Sequence, residues 1–436
     1  MAITSLQVFS DILYKYQNLI IVIGLIISFS GGSWDITFHI LSQPESFFSY
    51  PHTMVYSGIF VVISIFFINC RKNILNKNPH RRKANYLILL GAVLILAAGP
   101  FDLSWHLKFG LDGLLSPPHV TLLTGWMFVG LGNLQITNNL IDLTLLQNKR
   151  SNKSKSVDKE EDNHHDYDKN DLDNLDTVDH ANNLRDKNGL TLLKIQLILN
   201  LSIILVILSG FIYFFTLPFS ETQFYNYNPD PLVAFLVYSF GFPFLLSSFF
   251  ISILKNYPDF NEMILLVGSF YVIIMLLTQI ISNPFLFGYS WYYMLNILPF
   301  VVIYLLNKKR GTKTFTKMNF PPPPSEKFQD KTKKHVNPKI YILYAFTLAI
   351  FSFTICFPLN TYILNEELYG YLVYQNLVAK VYAQLFGDYF IIIISISIVG
   401  GLLGYGLGMS SGIVKFSKYM IIQLRQYFIE RRHGGG

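Results

Sequence analysis

The 436-residue sequence is short of charge and of cysteine. Only 14% of its residues are charged, against about 25% in a typical soluble protein. Eleven of the 27 acidic residues fall in one stretch, Val157 to Asn188, so the rest of the chain is poorer still. Its two cysteines, Cys70 and Cys356, lie in no CxxC pair and give no disulfide framework. These shortages exclude a soluble enzyme, a secreted disulfide scaffold and a disordered protein.

Long apolar runs dominate the sequence instead, since 51% of its residues are hydrophobic. A run of about 18 or more apolar residues is long enough to cross a bilayer as a helix. Such runs lie near residues 18–39, 51–70, 85–107, 119–137, 190–217, 231–254, 263–281, 287–306, 340–357 and 386–408. They predict an all-α integral membrane protein with about ten transmembrane helices. In the last run Gly400, Gly404 and Gly408 recur every four residues, which predicts close packing against another helix of the same chain.

Basic residues predict the orientation of these helices. Six of them lie around the loop between the second and third runs: Arg71, Lys72, Lys77, Arg81, Arg82 and Lys83. Others lie in the loops after Lys149 and after Asn307 and in the C-terminal tail, whereas the alternate loops are almost free of them. Because cytoplasmic loops carry the excess of Lys and Arg, we expect a multi-pass protein of the cell membrane with both termini cytoplasmic. The net charge of +7 therefore indicates a lipid bilayer as partner and no nucleic acid.

The runs and loops divide the chain into five parts. Residues 1–147 form a four-helix membrane module, and 148–189 are an acidic cytoplasmic linker too polar to bury a core. Residues 190–306 form a four-helix membrane segment, and 307–338 are a basic, proline-rich cytoplasmic loop. Residues 339–436 hold two further membrane helices and a basic tail. The last three parts show no nucleotide-binding loop, no nucleophile–base set and no transporter-type pair of half-helices.

An internal duplication with an offset of 67 residues marks the first part. Seven identities fall without a gap in the 27-residue window from 32 to 58, against roughly two expected by chance. They pair Gly32 with Gly99, Asp35 with Asp102, His39 with His106, Ser49 with Ser116, Pro51 with Pro118, His52 with His119 and Gly58 with Gly125. Glu45 aligns with Asp112 and keeps the acid. The sequence thus predicts a pair of similar helical hairpins that carry the same polar set.

The duplicated residues form candidate metal ligands. Asp35 and His39 are four residues apart and share one helix face, and His52 begins the returning helix, so the three can converge outside the cytoplasm. Asp102, His106 and His119 repeat this set in the second hairpin. One carboxylate and two imidazoles suit copper, zinc or non-haem iron and leave positions for water or substrate. Glu45 and Asp112 are candidates for further ligands, partners of a ligand's N–H, or a proton relay.

The pattern D-x3-H-x12-H, with an acid six residues after the first His and Pro just before the second, resembles the C subunit of the particulate methane and ammonia monooxygenases. The resemblance covers residues 15 to 145, and Trp105 before His106 fits the ammonia-oxidiser version. It implies a copper site at Asp35, His39 and His52, a second at the matching residues, and assembly with other membrane subunits. Asp102 stands where the methane enzymes tend to have Asn, and the helices after Leu190 have no counterpart. A distant relative with a shared copper-site module is therefore the expectation.

Three functions fit the sequence. The leading one is a copper-dependent membrane oxidoreductase, similar to one chain of a monooxygenase, with a redox or oxygen-activating role. The second is a copper transporter or metallochaperone, and the third is a structural membrane protein with a hydrogen-bonded polar cluster. A transporter needs polar or sulfur ligands across the membrane, but residues 20–27 and 87–97 carry no ionisable group and no cysteine or methionine. The sequence therefore favours a fixed site, while whether the chain is an enzyme stays open.

Overall fold

A computed structural model of the chain describes ten ranges of residues. They are 2–40, 46–71, 79–110, 115–157, 187–215, 231–256, 261–282, 294–308, 338–352 and 377–410. Every regular element in these ranges is helical. The α-helices are α1 (Ala2–Ile40), α2 (Tyr50–Arg71), α3 (Pro79–Phe109), α4 (Pro117–Val157), α5 (Lys187–Phe214), α6 (Pro231–Asn256), α7 (Asn261–Ser282), α8 (Leu298–Lys308), α9 (Pro338–Phe351) and α10 (Leu377–Ser410). The predicted all-helical class is confirmed for this part of the chain.

Each of the ten predicted runs contains a helix. Within the described residues, eight helices are long and apolar enough to cross a membrane. The other two are α9 and α8, and α8 follows a 3-10 turn at Met294–Ile297. The remainder of these two predicted runs, residues 287–293 and 353–357, lies outside the described residues. Helix α4 in turn runs to Val157 and so includes the first ten residues of the predicted linker. Polar residues such as Asn148 and Ser151 continue that helix because nothing in their sequence breaks it.

Helices α1 to α4 form two antiparallel hairpins in which glycines permit close crossing. A Cβ on Gly58 would lie 2.4 Å from the carbonyl oxygen of Gly24, so α1 and α2 touch backbone to backbone. A Cβ on Gly91 would lie 2.5 Å from the carbonyl oxygen of Gly125, and α3 and α4 touch in the same way. Gly91 and Gly125 lie 67 residues after Gly24 and Gly58. Corresponding residues of the two hairpins therefore make corresponding contacts.

The two hairpins dock through aromatic residues placed over glycines. A Cβ on Gly32 of α1 would lie 2.4 Å from the Trp126 ring of α4, and one on Gly99 of α3 would lie 2.0 Å from the Tyr56 hydroxyl of α2. Ser28 accepts a hydrogen bond of 2.8 Å from the indole N–H of Trp126. These contacts bring the end of α1 and α3 and the start of α2 and α4 together. We call this end of the bundle the site end.

The remaining helices pack around this core. Helices α5 and α7 pack against each other and against α1, and α5 also packs against α4. Helices α6 and α10 run parallel, because Cβ atoms on Gly400, Gly404 and Gly408 would lie 2.4 to 2.8 Å from the carbonyl oxygens of Phe240, Phe244 and Ser248 in turn. The predicted packing of this glycine series within the chain is confirmed. Buried apolar side chains from α1 to α10 form one continuous core.

Candidate metal centre

Five of the six predicted ligands lie together at the site end. Asp35 is near the end of α1, His52 is in the first turn of α2, Asp102 and His106 are in the last turns of α3, and His119 is in the first turn of α4. All five residues are 9% exposed or less. Buried ionisable groups are costly unless they are paired or hold an ion. Their convergence from four helices therefore needs a physical reason beyond packing.

The contacts between these residues join each carboxylate to imidazole nitrogens. The Nε2 atom of His52 lies 3.2 Å from Oδ1 of Asp35. The Nε2 atoms of His106 and His119 each lie 3.3 Å from the same oxygen, Oδ1 of Asp102. The His106 and His119 ring centroids are 6.1 Å apart. Each of these three Nε2 atoms thus faces a carboxylate oxygen, as in an imidazolium–carboxylate ion pair or a shared metal site.

Asp102 belongs to both halves of the cluster. One ligand atom each from Asp102, His106 and His119 lies within 4.8 Å of the others, and so does one each from Asp35, His52 and Asp102. The repeat predicted one set of ligands in each hairpin. In the structure the two sets adjoin, because α2 packs against α3 at the site end and brings Asp35 and His52 to Asp102. The two hairpins thus build one continuous cluster, which we call the centre.

The side chains of three predicted residues lie outside the described part of the structure. The backbone of His39 lies in α1, one turn after Asp35, but its side chain lies outside the described part of the structure. Glu45 and Asp112 lie outside the described residues. Their roles as ligand, ligand partner or proton relay therefore stay predictions.

Hydrogen bonds on the far side of each ring orient the imidazoles. The Nδ1 atom of His52 lies 3.1 Å from the Ser46 carbonyl oxygen, and that of His106 lies 3.1 Å from the Gly110 carbonyl oxygen. A carbonyl oxygen can only accept, so both Nδ1 atoms carry a proton and donate it. The Nε2 atoms of both rings then point into the centre. Metal-binding histidines typically show this arrangement, with the second ring nitrogen donating to a carbonyl.

The third imidazole is oriented by a side chain instead. The Nδ1 atom of His119 lies 2.9 Å from the Ser116 hydroxyl oxygen, and Ser116 directly precedes α4. Ser49 occupies the same place before α2, and the carbonyls of both serines accept the N–H four residues on. The Ser49 hydroxyl is buried and has no hydrogen-bond partner among the described residues. The repeat drew attention to both serines, but only the structure distinguishes them.

A small cavity lies against the centre. Its volume is about 20 Å³ for the centre of a water-sized sphere, and its lining includes Asp35, His52, Asp102, His119 and Tyr56. A space of about 10–15 Å³ on this measure already holds one water molecule. The cavity therefore has room for one small ligand beside the carboxylates. Sequence reasoning missed Tyr56; the duplicated Gly32 and Gly99 were the available signal, because both make room for an aromatic ring.

Helix α5 from the second half of the chain forms one wall of the centre. The Phe214 ring centroid lies 6.4 Å from that of His119, and Phe214 is buried. A Cβ on Gly210, one turn earlier, would lie 3.1 Å from the Leu123 side chain of α4. The helices after residue 190 thus contribute an apolar wall and not only a separate bundle. This wall covers one side of the His119 ring.

An apolar layer separates the centre from a polar network deeper in the same helices. Asn133 donates to the Asn18 carbonyl oxygen at 2.9 Å and to the Asn200 amide oxygen at 2.7 Å. Asn18 precedes Asp35 by 17 residues of one helix, which is about 25 Å. The intervening buried side chains of α1 include Ile21, Val22 and Leu25, all 1% exposed or less. These three residues form an apolar stretch of α1 next to the polar network, and the buried Ser28 and Ser30 lie between that stretch and Asp35.

Comparison with known proteins adds no assignment. No family model, no curated protein and no solved structure matches this chain. The residues and their geometry carry the functional argument alone.

Proposed function

We propose that this chain is a multi-pass membrane metalloprotein that binds copper at one buried centre built by both N-terminal hairpins. The observation that carries the proposal is the convergence of two carboxylates and three imidazole Nε2 atoms from four helices, with contacts of 3.2 to 3.3 Å. A contact of this length between Nε2 and a carboxylate oxygen needs either a proton on Nε2 or a metal ion that both atoms bind. A metal ion bound by the Nε2 lone pairs would take the place of those protons and offset the cost of burying the carboxylates.

Two features support the membrane part of the proposal. Eight helices have the length and apolar composition of membrane spans. Large apolar side chains are also exposed on their surfaces, such as Phe60 at 71%, Phe67 at 62% and Ile391 at 78%. Soluble monomers rarely expose contiguous apolar surface on this scale, whereas lipid covers it in a membrane. The loop charges favour an extracytoplasmic position for the centre, with both termini cytoplasmic.

The corresponding contacts of the two hairpins support an origin by duplication. The crossing glycines and the serines before α2 and α4 all recur at the same offset of 67 residues. His39 is a further candidate ligand, because His106 at the matching position faces the centre. The choice of copper rests on the resemblance to the C subunit of the monooxygenases. The chemistry of the donor set agrees with it, since imidazole and carboxylate ligands hold divalent copper more tightly than other first-row metals.

The apolar stretch of α1 supports a fixed redox site more than a transport path. A carried ion would need ligands along the helices, and next to the polar network α1 buries Ile21, Val22 and Leu25 instead. Copper held by these residues would supply electron-transfer or oxygen-activating chemistry. In that role the histidines hold the metal and the carboxylates balance its charge. Assembly with other membrane subunits is part of the same proposal.

Elemental analysis of the detergent-purified full chain tests the proposal. We expect about one to two copper atoms per chain in the wild type and loss of copper in the double variant His52→Ala with His119→Ala. His80→Ala is the matched control, because His80 lies in the first turn of α3, at the opposite end from the centre. Copper retained by the double variant would contradict the assignment. Zinc or iron at the same stoichiometry would retain the site and overturn the copper chemistry.

A further inference from the structure

Tyr56 distinguishes the two hairpins at the cavity. Its hydroxyl is buried and has no hydrogen-bond partner in the described part of the chain, although the carboxylates of Asp35 and Asp102 line the same cavity. A buried phenol normally has a hydrogen-bond partner, because an O–H group without one keeps the full free-energy cost of its desolvation. The donor of Tyr56 is therefore available to something that enters the cavity.

Gly99 makes this position of the phenol possible. A Cβ at position 99 would lie 2.0 Å from the Tyr56 hydroxyl oxygen, closer than any side chain tolerates. Alanine at this position would push the ring away from the cavity. Gly99 is three residues before Asp102 on α3, so the place left empty by the missing side chain is beside the shared carboxylate. The fold thus makes specific room for a hydroxyl next to the centre.

The second hairpin has no equivalent donor. The residue 67 positions after Tyr56 is Leu123, which is buried and apolar. The glycine that matches Gly99 is Gly32, and it makes room for Trp126, whose N–H already donates to Ser28 at 2.8 Å. Both hairpins therefore place an aromatic residue over the glycine of the other, but the Trp126 N–H has a partner, whereas the Tyr56 hydroxyl has none among the described residues. The duplication is broken at the one point where a ligand would bind.

We infer that the cavity binds one small ligand with a hydrogen-bond-accepting atom, such as water, hydroxide or a small anion, and that Tyr56 donates the hydrogen bond that holds it. This inference rests on the proposed function, since the ligand would complete the coordination of the metal. A volume of about 20 Å³ fits a ligand of the size of water or a small anion. Tyr56 then determines which small ligands stay at the centre, without being a metal ligand itself.

Azide binding to the copper-loaded full chain tests this inference. Azide is a small linear anion that accepts hydrogen bonds and gives a charge-transfer absorption band when it binds Cu(II). We expect Tyr56→Phe to keep the wild-type copper content and to bind azide about tenfold more weakly, because a hydrogen bond to a charged ligand is lost. Tyr50→Phe is the matched control, since Tyr50 is 75% exposed and stacks on Trp34. Its azide affinity should equal that of the wild type.

A second variant keeps the phenol of Tyr56 but displaces it from the cavity. Gly99→Ala should weaken azide binding as Tyr56→Phe does, provided that its copper content is unchanged. Equal azide affinity in wild type and Tyr56→Phe at equal copper content would overturn the assignment of Tyr56 and leave the metal centre standing. Loss of copper from Tyr56→Phe would also overturn it, because the phenol would then support the metal. A wild type without copper would overturn the proposed function, and this inference with it.

Discussion

The first and second hairpins contribute unequal numbers of carboxylate–imidazole contacts to the centre. Asp102 of the second hairpin faces two imidazoles of its own hairpin, at 3.3 Å each, and also lies against Asp35 and His52. Asp35 of the first hairpin faces one described imidazole, at 3.2 Å. The second hairpin thus supplies the carboxylate common to both halves, and the first supplies Tyr56. Under the proposed function, the two hairpins would divide metal binding and ligand selection between them.

The largest effect should come from removing the shared carboxylate. Asp102→Asn keeps the size of the side chain but removes the charge that both halves use, so we expect copper affinity to fall about 100-fold or more. Asp35→Asn removes a carboxylate from one half and should cost about tenfold. Competition with a chelator of known affinity measures both. If the Asp35 variant lost as much copper affinity as the Asp102 variant, the two carboxylates would contribute equally to copper binding, which would contradict the shared role of Asp102.

The crossing glycines test whether the hairpins share one architecture. Gly58→Ala places a Cβ 2.4 Å from the Gly24 carbonyl oxygen, and Gly125→Ala places one 2.6 Å from the Ile95 side chain. We expect each to destabilise the protein by about 1–3 kcal/mol, because overpacking forces the helices apart. Gly406→Ala is the control, since nothing lies within 4 Å of its Cβ position. Thermal unfolding in detergent measures all three, and one glycine variant as stable as the control would show that the crossings differ.

A smaller effect should distinguish the two serines before α2 and α4. Ser116→Ala removes the 2.9 Å contact to Nδ1 of His119, and we expect copper affinity to fall about tenfold because the ring loses its orienting partner. Ser49→Ala should leave copper affinity unchanged, since the Ser49 hydroxyl has no partner among the described residues. Equal losses in the two variants would mean that both serines support an imidazole.

The sequence was informative about the centre because polar residues are rare in apolar runs. Asp35, His52, Asp102 and His119 could be identified from the repeat, and helix periodicity placed them at one end of the bundle. The close approach of the two hairpins was not predictable in the same way. It depends on how Tyr56 and Trp126 fit over Gly99 and Gly32, contacts between residues far apart in the chain that no local pattern encodes.

Helix ends were the other feature that the sequence predicted poorly. Hydropathy marks where a helix becomes too polar for lipid, but not where its hydrogen bonding stops. Helix α4 therefore continues to Val157, well past the last apolar residue of its run. The contact of Phe214 with His119 was also not predicted, because the sequence does not show which residues a phenylalanine in an apolar run will contact. Both features follow from packing in three dimensions and from the backbone.

Electron paramagnetic resonance of Cu(II) in two single variants tests most directly whether the hairpins share one centre. His52→Ala removes an imidazole from the first hairpin, and His119→Ala removes one from the second. We expect all copper remaining in either variant to give a changed spectrum, because the two sets of ligands adjoin at Asp102. If each variant lost one copper and left an unchanged spectrum from another, the hairpins would hold independent sites. That result would contradict the shared centre.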